Sequence, residues 1–169
     1  MDTDPTNLRD ILLIEDDEWD VELMLAALAA SQHAGRVAVV DNGAEALDYL
    51  NREGKFAERA GGNPVFVLMD NKMPKVDGIE VLRFIKSDEA LKVIPVVVFT
   101  SSREKSDLHE FYEYGVNAYV VKPVDVSEFM NVVRQIMLFW GTANEPPLAC
   151  QSKGAIAGNG REAMSGKRA

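Results

Sequence analysis

Five short apolar runs divide this chain, and segments with the residue spacing of an amphipathic helix lie between them. The runs cover about residues 11–14, 36–40, 65–69, 95–100 and 118–121. Short apolar runs that alternate with helical segments are typical of a parallel sheet covered by helices on both faces. The pattern therefore predicts an α/β fold of five strand and helix pairs. Ser101 and Glu104 have the spacing of a capping box and predict the start of the fourth helix.

Four of the five predicted strands end in polar side chains. They lead into Glu15-Asp16-Asp17, Asp70, Thr100-Ser101-Ser102 and Lys122-Pro123. Because open α/β sheets bind ligands beyond the carboxyl ends of their parallel strands, we expect these side chains to meet at one edge. Each group alone also fits a helix cap, a turn or a solvated lysine. Their joint occurrence at four strand ends predicts a functional site.

The residue types at this edge favour a divalent cation and a phosphoryl group. Glu15, Asp16 and Asp70 would repel one another unless a hard cation with oxygen ligands lay between them, and Mg²⁺ suits such a site. Lys122 adds a positive charge and Thr100 a hydroxyl, which together can neutralise a phosphoryl group. Asp70 follows the central run and is therefore the candidate nucleophile.

Composition restricts the class of protein. The 169 residues, 47% of them hydrophobic, suffice for one well-buried domain, and a net charge of −9 disfavours nucleic acid as a partner. The apolar runs are shorter than the ~20 residues that span a bilayer, and the N-terminus does not resemble a signal peptide. The single cysteine, Cys150, cannot form an internal disulfide. We therefore expect a cytoplasmic protein that binds neither nucleic acid nor membranes.

Two stretches fall outside the alternation of strands and helices. Residues 51–63 are polar and charged and predict a long exposed loop. Residues 141–169 have no apolar periodicity, and we expect a disordered tail or an arm that packs on a second subunit through Leu148. With residues 1–8 as an N-terminal extension, the folded domain is expected to cover residues 9–140.

The order and spacing of these motifs resemble the receiver domain of two-component response regulators. The matching residues are Glu15-Asp16, Asp70, Met73-Pro74, Asp77-Gly78, Thr100-Ser101, Tyr119 and Lys122-Pro123. The resemblance implies a flavodoxin-like, doubly wound (βα)5 fold whose five parallel strands have the order 2-1-3-4-5. It also implies a signalling protein that catalyses only its own phosphoryl transfer and slow dephosphorylation.

By the same resemblance, a sensor histidine kinase donates a phosphoryl group to Asp70, with Mg²⁺ required and Mn²⁺ able to replace it. Glu15, Asp16, Asp70 and the backbone carbonyl of Lys72 are then the metal ligands, with Glu15 acting largely through water. The family commonly has Asp at the position of Glu15, so an altered metal affinity is expected. Lys72 and Ser102, which flank the site, are expected to tune the phosphoryl lifetime.

The resemblance further implies a two-state switch. Lys122 pairs with the phosphoryl oxygens, the hydroxyl of Thr100 and the adjoining Ser101 turn inward to them, and Tyr119 turns into the vacated space. The Lys122–Pro123 peptide bond is expected to be cis. The surface formed by the fourth helix, fifth strand and fifth helix would then change shape and serve as the output.

We expect the same surface to carry a homodimer contact. The apolar residues of the last two helices are more numerous than one buried face requires. The residues concerned are Phe111, Tyr112, Tyr114, Val132 and Phe139. The alternative is that these side chains pack within one subunit.

Within the family, three segments resemble regulators associated with phytochrome-type sensor kinases, which implies a light-responsive kinase as partner. They are the 51–63 loop, Leu91-Lys92-Val93-Ile94-Pro95 and the ending that runs from Lys122-Pro123-Val124-Asp125 to Phe139-Trp140. Two other classes stay open. A phosphatase of the haloacid dehalogenase type would need an acid where this chain has Lys72, and a flavodoxin-like interaction module would not respond to Mg²⁺.

Overall fold

A computed structural model describes residues 10–30, 36–147 and 150, and in it the five apolar runs form one parallel sheet. The strands are β1 (Ile11–Ile14), β2 (Val37–Val40), β3 (Phe66–Met69), β4 (Val96–Thr100) and β5 (Ala118–Val121). Each lies within one residue of its predicted bounds. All neighbouring strands are parallel, and their order is β2-β1-β3-β4-β5. The predicted fold class and strand order are confirmed.

A helix follows each strand. The helices are α1 (Glu18–Ala30), α2 (Gly43–Asn51), α3 (Gly78–Ser87), α4 (Lys105–Glu113) and α5 (Val126–Leu138). Asp77 and Glu80 form a capping box at the start of α3, and the Asp125 carboxylate caps α5. Within the described part of the chain, no helix is both long and apolar enough to cross a membrane.

Side chains of the strands alternate between two hydrophobic layers, one on each face of the sheet. Leu12 and Ile14 of β1 pack in a layer with α2, α3 and α4, whereas Ile11 and Leu13 pack in a second layer with α1 and α5. Because successive side chains of a strand point to opposite faces, each layer contains about half of the side chains of every central strand. The central strands β1, β3 and β4 are buried along their whole length.

The segment predicted as an exposed loop, residues 51–63, is partly structured. It contains a short 3-10 helix, Gly54–Phe56. The centroid of the Phe56 ring lies 5.2 Å from that of Tyr49 in an edge-to-face contact. The Arg59 guanidinium lies 4.1 Å from the centroid of the same Tyr49 ring. Ring packing and a cation–π contact therefore fold this charged segment back onto α2.

Helical structure at the end of α5 continues past residue 140, which was expected to end the folded domain. A π-helical turn, Phe139–Ala143, extends α5, and the backbone N–H of Asn144 donates to the Phe139 carbonyl at 2.7 Å. Cys150 is buried in the layer of α2, α3 and α4. Leu148 and the predicted N-terminal extension, residues 1–8, lie outside the described residues.

Gly78, the first residue of α3, fixes how closely that helix approaches the end of β3. A Cβ atom here would lie 2.5 Å from the carbonyl oxygen of Asp70 and 2.9 Å from the Cα of Asn71. Both contacts are with backbone, which cannot rotate aside. The absence of a side chain at Gly78 therefore sets the position of the Asp70 loop.

We expect Gly78→Ala to lower the free energy of unfolding by about 1–3 kcal/mol, because the methyl group overpacks this contact, and to weaken Mg²⁺ binding by displacing Asp70. Urea unfolding and Mg²⁺ titration, followed by the fluorescence of the exposed Trp19, measure the two effects. Gly115→Ala is the control. It adds backbone strain, because Gly115 has a φ of +80°, but among the described atoms none lies within 4 Å of the added Cβ. It should lose stability but keep its Mg²⁺ affinity, and equal affinities in both variants would contradict the prediction.

Candidate functional site

The polar strand ends meet at one edge of the sheet. Glu15 follows β1, Asp70 follows β3, and Lys122 follows β5. The backbone N–H of Asp70 donates to the Ile14 carbonyl at 3.0 Å, and that of Lys122 donates to the Thr100 carbonyl at 2.8 Å. The sheet ladder therefore continues one residue past the strands and holds these side chains at the same level.

The ammonium of Lys122 joins three carboxylates. Its Nζ lies 2.7 Å from Asp20 Oδ2, 2.8 Å from Glu15 Oε2 and 3.3 Å from Asp70 Oδ2, and its side chain is 8% exposed. Asp20, in the first turn of α1, was not predicted as a site residue. In the sequence it is one more acid at a helix start, where the helix dipole alone explains it.

Burial and the neighbouring charges act in opposite directions on the pKa values of Lys122 and Glu15. Burial lowers the pKa of Lys122, but its pairs with Asp20, Glu15 and Asp70 outweigh burial and raise it above the usual range. Burial raises the pKa of Glu15 to about 7, although the pair with Lys122 acts in the opposite direction. One ammonium is shared by three acids and cannot compensate each of them fully.

Three carboxylates are close enough to share a cation. Glu15, Asp16 and Asp70 each offer an oxygen atom, and these atoms lie within 4.8 Å of one another. Glu15 and Asp70 are buried, whereas Asp16 is exposed. An all-oxygen set that is open to solvent on one side fits a hard ion such as Mg²⁺, which keeps several of its own waters.

The carboxylate of Asp70 is held at both oxygens. Oδ1 accepts a hydrogen bond from the Asn71 backbone N–H at 2.6 Å, and Oδ2 faces Lys122. Its side chain is largely buried. Two donors therefore fix the orientation of the one acid that the central strand brings to this edge.

The residues predicted to form the switch lie beside this group. Thr100 is buried, and its Oγ1 accepts a hydrogen bond from the Ser102 N–H at 3.2 Å. The Tyr119 hydroxyl donates to the Ser102 carbonyl at 3.4 Å, and burial raises the pKa of this tyrosine. Ser101 is exposed. The β4–α4 loop therefore links Thr100 to Tyr119 through the backbone of Ser102.

A second residue that was not predicted, Asp107 in the first turn of α4, joins two loops. Its Oδ2 accepts hydrogen bonds from Ser102 Oγ at 2.8 Å and Asn71 Nδ2 at 2.9 Å, and the Lys72 ammonium lies 3.7 Å away. The capping box predicted from Ser101 and Glu104 is wrong, because α4 begins at Lys105. The hydroxyl that bonds to a carboxylate in this region is that of Ser102, and its partner is Asp107.

The cis peptide bond implied for Lys122–Pro123 is wrong, since no described peptide bond is cis. The trans form of a bond before proline is favoured by about 0.5–1 kcal/mol. The trans bond already allows the Lys122 ammonium to reach all three carboxylates.

The raised pKa of Glu15 predicts how the stability of the metal-free protein depends on pH. Between about pH 4.5 and 7, the folded protein holds a proton that the unfolded chain releases. Because the folded state binds more protons, rising pH through this window lowers the free energy of unfolding, by up to about 3 kcal/mol. We expect Glu15→Gln to remove this decrease in the free energy of unfolding, and we expect saturating Mg²⁺ to make the decrease smaller. Urea unfolding at pH 5 and pH 7.5 checks both.

Glu18→Gln, which changes an exposed acid in the same segment, is the matched control and should keep the wild-type dependence on pH. The prediction fails if wild type and Glu15→Gln lose equal stability between the two pH values.

Comparison with known proteins identifies the family. The profile of the response regulator receiver domain matches residues 11–134. The chain is 38% identical over 139 residues to the probable methanogenesis regulatory protein FilR2 of Methanothrix harundinacea, covering 81% of this chain and 86% of FilR2. It is 35% identical over 130 residues to response regulator Rcp1 of Synechocystis sp., covering 77% of this chain and 87% of Rcp1.

Solved structures of response regulators have the same fold. The phosphorylated cyanobacterial phytochrome response regulator RcpA is 38% identical, with a TM-score of 0.78 over 83% of this chain and 99% of RcpA. The Mn²⁺-bound form of Rcp1 is 33% identical, with a TM-score of 0.78 over 82% of this chain and 99% of the Rcp1 chain. The bacteriophytochrome response regulator RtBRR is 52% identical, with a TM-score of 0.67 over 85% of this chain and 86% of the RtBRR chain.

These matches, together with the acidic cluster at the end of β1 and β3, do not favour the phosphatase or the phosphorylation-independent module. The receiver domain is a signalling domain, and it accounts for most of this chain. The chain belongs to the response regulator receiver domain family.

Proposed function

We propose that Asp70 accepts a phosphoryl group from the phosphohistidine of a sensor histidine kinase, in a Mg²⁺-dependent reaction. The observation that carries this proposal is the group of carboxylates around Asp70, which shares a single ammonium, that of Lys122. Such a group has an excess of negative charge that a divalent cation would relieve. It also presents one oriented carboxylate next to a positive charge, as a phosphoryl acceptor requires.

In the proposed transfer, one carboxylate oxygen of Asp70 bonds to phosphorus while the bond from phosphorus to the histidine nitrogen breaks, and the electron pair stays on the imidazole. Lys122 is close enough to contact the new phosphoryl oxygens, since its Nζ already lies 3.3 Å from Asp70 Oδ2. The Asn71 N–H holds the other carboxylate oxygen and orients the nucleophile.

Glu15, Asp16, Asp70 and the backbone carbonyl of Lys72 would hold the metal ion. A bound Mg²⁺ supplies positive charge to the phosphoryl oxygens and reduces their repulsion with the carboxylates. The Mn²⁺-bound structure of the relative Rcp1 supports the binding of a divalent ion at this site. It also supports the proposal that Mn²⁺ can replace Mg²⁺. Glu15 is longer than aspartate by one methylene and would reach the metal through water.

The switch would begin at Thr100 and Tyr119. A phosphoryl group on Asp70 offers acceptor oxygens to which the Thr100 hydroxyl, whose oxygen accepts from the Ser102 N–H, can donate a hydrogen bond. Rotation of Thr100 releases the Ser102 backbone and with it the carbonyl that Tyr119 contacts. Ser101 would move inward with the loop, and α4 would shift with it, so that the α4, β5 and α5 surface reports phosphorylation.

We propose a phytochrome-type kinase as the partner and the cytoplasm as the location. Support for the kinase comes from RcpA and RtBRR, which are named as phytochrome and bacteriophytochrome response regulators. The acidic composition and single cysteine suit a cytoplasmic protein that does not bind nucleic acid. The receiver domain would then cover residues 9–140, with α5 extended by its π-helical turn.

We also propose a homodimer through the α4, β5 and α5 surface. Leu108 and Tyr112 of α4 are exposed, as are Leu138 and Phe139 at the end of α5. Exposed apolar groups at this density favour a protein partner. Phe111 is buried in the hydrophobic layer and does not contribute to this surface, contrary to expectation.

We expect wild-type protein incubated with acetyl phosphate and Mg²⁺ to gain one phosphoryl group, about 80 Da by intact mass, and Asp70→Asn to gain none, because an amide is not a nucleophile. EDTA should abolish the gain. Asp88→Asn, which changes an acid at the far end of α3 and keeps its capping oxygen, should behave as wild type. Mg²⁺-dependent phosphorylation of Asp70→Asn would contradict the assignment.

For the dimer, we expect sedimentation velocity to show association of wild type in the presence of beryllofluoride, a phosphoryl analogue. Substitution of both Leu138 and Phe139 by Ser should lower the association constant at least about tenfold, because two exposed apolar side chains are lost from the contact. Leu25→Ser, which changes an exposed apolar residue of α1, is the control. A strict monomer with and without beryllofluoride would refute the dimer.

A further inference from the structure

We propose that Asp20 is a positioning residue that acts through Lys122 and sets the balance between metal ion and phosphoryl group at this edge of the sheet. Its negative charge strengthens the binding of the metal ion and weakens the binding of a phosphoryl group on Asp70. The inference rests on the proposed function and adds a residue to it.

Asp20 competes with Asp70 for one ammonium. Its Oδ2 lies 2.7 Å from Lys122 Nζ, against 3.3 Å for Asp70 Oδ2, and its side chain is 21% exposed. A lysine ammonium has three N–H donors, and that of Lys122 has three carboxylate partners. Because the shorter of two charged hydrogen bonds is the stronger, the ammonium is held toward α1 and is not centred on the phosphoryl acceptor.

The carboxylates of Asp20 and Asp70 are also close to each other. Since both contact the same nitrogen atom, their Oδ2 atoms are separated by no more than the two contact distances together, about 6 Å. Two unit charges at that distance change a binding constant about threefold even in bulk water, and more where water is partly excluded. The charge of Asp20 therefore acts on any ion or group that binds at Asp70.

This charge acts in opposite directions on the two groups that the site would hold. A divalent cation shared by Glu15, Asp16 and Asp70 is attracted by a further carboxylate nearby. A phosphoryl group adds negative charge and is repelled, and the Lys122 N–H that bonds to Asp20 is not free for its oxygens. Both effects depend on charge and distance alone and apply in any conformation of the β4–α4 loop.

Capping of α1 does not account for the carboxylate of Asp20. The Oδ1 atom of Asp17 accepts from the backbone N–H groups of Trp19 at 2.9 Å and Asp20 at 3.1 Å, as the side chain of an N-cap residue does. Glu18 also lies in the first turn, where the helix dipole favours an acid, but it is exposed. The contact with Lys122 distinguishes Asp20 from these neighbouring acids.

Titration of the full chain with Mg²⁺, and then with beryllofluoride at saturating Mg²⁺, tests the inference. Calorimetry measures both affinities, because the fluorescence of Trp19 would respond directly to a change at the adjacent Asp20. We expect Asp20→Asn, which keeps the shape of the side chain and removes its charge, to bind Mg²⁺ about tenfold more weakly than wild type. The same variant should bind beryllofluoride about threefold more tightly, the smaller change following from its single negative charge.

Two further variants separate the charge of Asp20 from other effects. Glu18→Gln removes an exposed acid from the same turn of α1 and should match wild type in both affinities. Asp20→Glu keeps the charge and should stay closer to wild type than to Asp20→Asn. Thermal unfolding is measured on every variant, and Asp20→Ser, with the same expected shifts, replaces Asp20→Asn if that variant does not fold.

Unchanged or weaker binding of beryllofluoride by Asp20→Asn would overturn the inference, because a residue that merely supports the fold or holds Lys122 in place gives that result. Unchanged or tighter binding of Mg²⁺ would also overturn it, as would an Asp20→Glu variant that behaves like Asp20→Asn. A wild-type protein that binds neither Mg²⁺ nor beryllofluoride would overturn the proposed function and this inference with it. A wild type that binds both, with an Asp20→Asn variant that matches it, would overturn the inference alone.

Discussion

The ammonium of Lys122 is the one positive charge on which the arrangement of this edge depends. It contacts acids that follow β1 and β3 and an acid in α1, so that residues more than 100 positions apart in the chain meet at one nitrogen atom. In a largely buried group, removal of the cation would leave three carboxylates in mutual repulsion. Burial raises the pKa of Glu15, and the excess of carboxylates over ammonium groups makes the site receptive to a divalent ion.

Local sequence patterns determined most of the fold. Apolar runs as short as residues 65–69 suit buried strands, and the carboxylates of Asp77 and Asp125 cap α3 and α5 because each accepts from a backbone N–H three residues away. The acids and the lysine that gather at the sheet edge were predictable for the same reason: each follows directly from a strand.

The residues that the sequence did not reveal act through tertiary contacts. Asp20 and Asp107 each lie in the first turn of a helix, where an acid is ordinary, and only the path of the neighbouring loops brings Lys122 or Ser102 to them. The charged 51–63 segment concealed Phe56 and Arg59, whose contacts with Tyr49 order it. In each case, the partner is distant in sequence and has no fixed spacing.

The division of the core into two layers has a consequence for recognition. Tyr119 and Phe111 pack in the layer of α2, α3 and α4, whereas α1 and α5 pack in the other, and the sheet, whose three central strands are buried, lies between them. Rearrangement beside Tyr119 therefore needs no repacking of the opposite layer. A protein that binds only the α1 surface would contact the same groups in the phosphorylated and unphosphorylated forms. A protein that binds the α4 surface would distinguish the two forms. The sheet thus separates the α1 surface, which suits a phosphoryl donor that must bind and dissociate, from the α4 surface, which would change on phosphorylation.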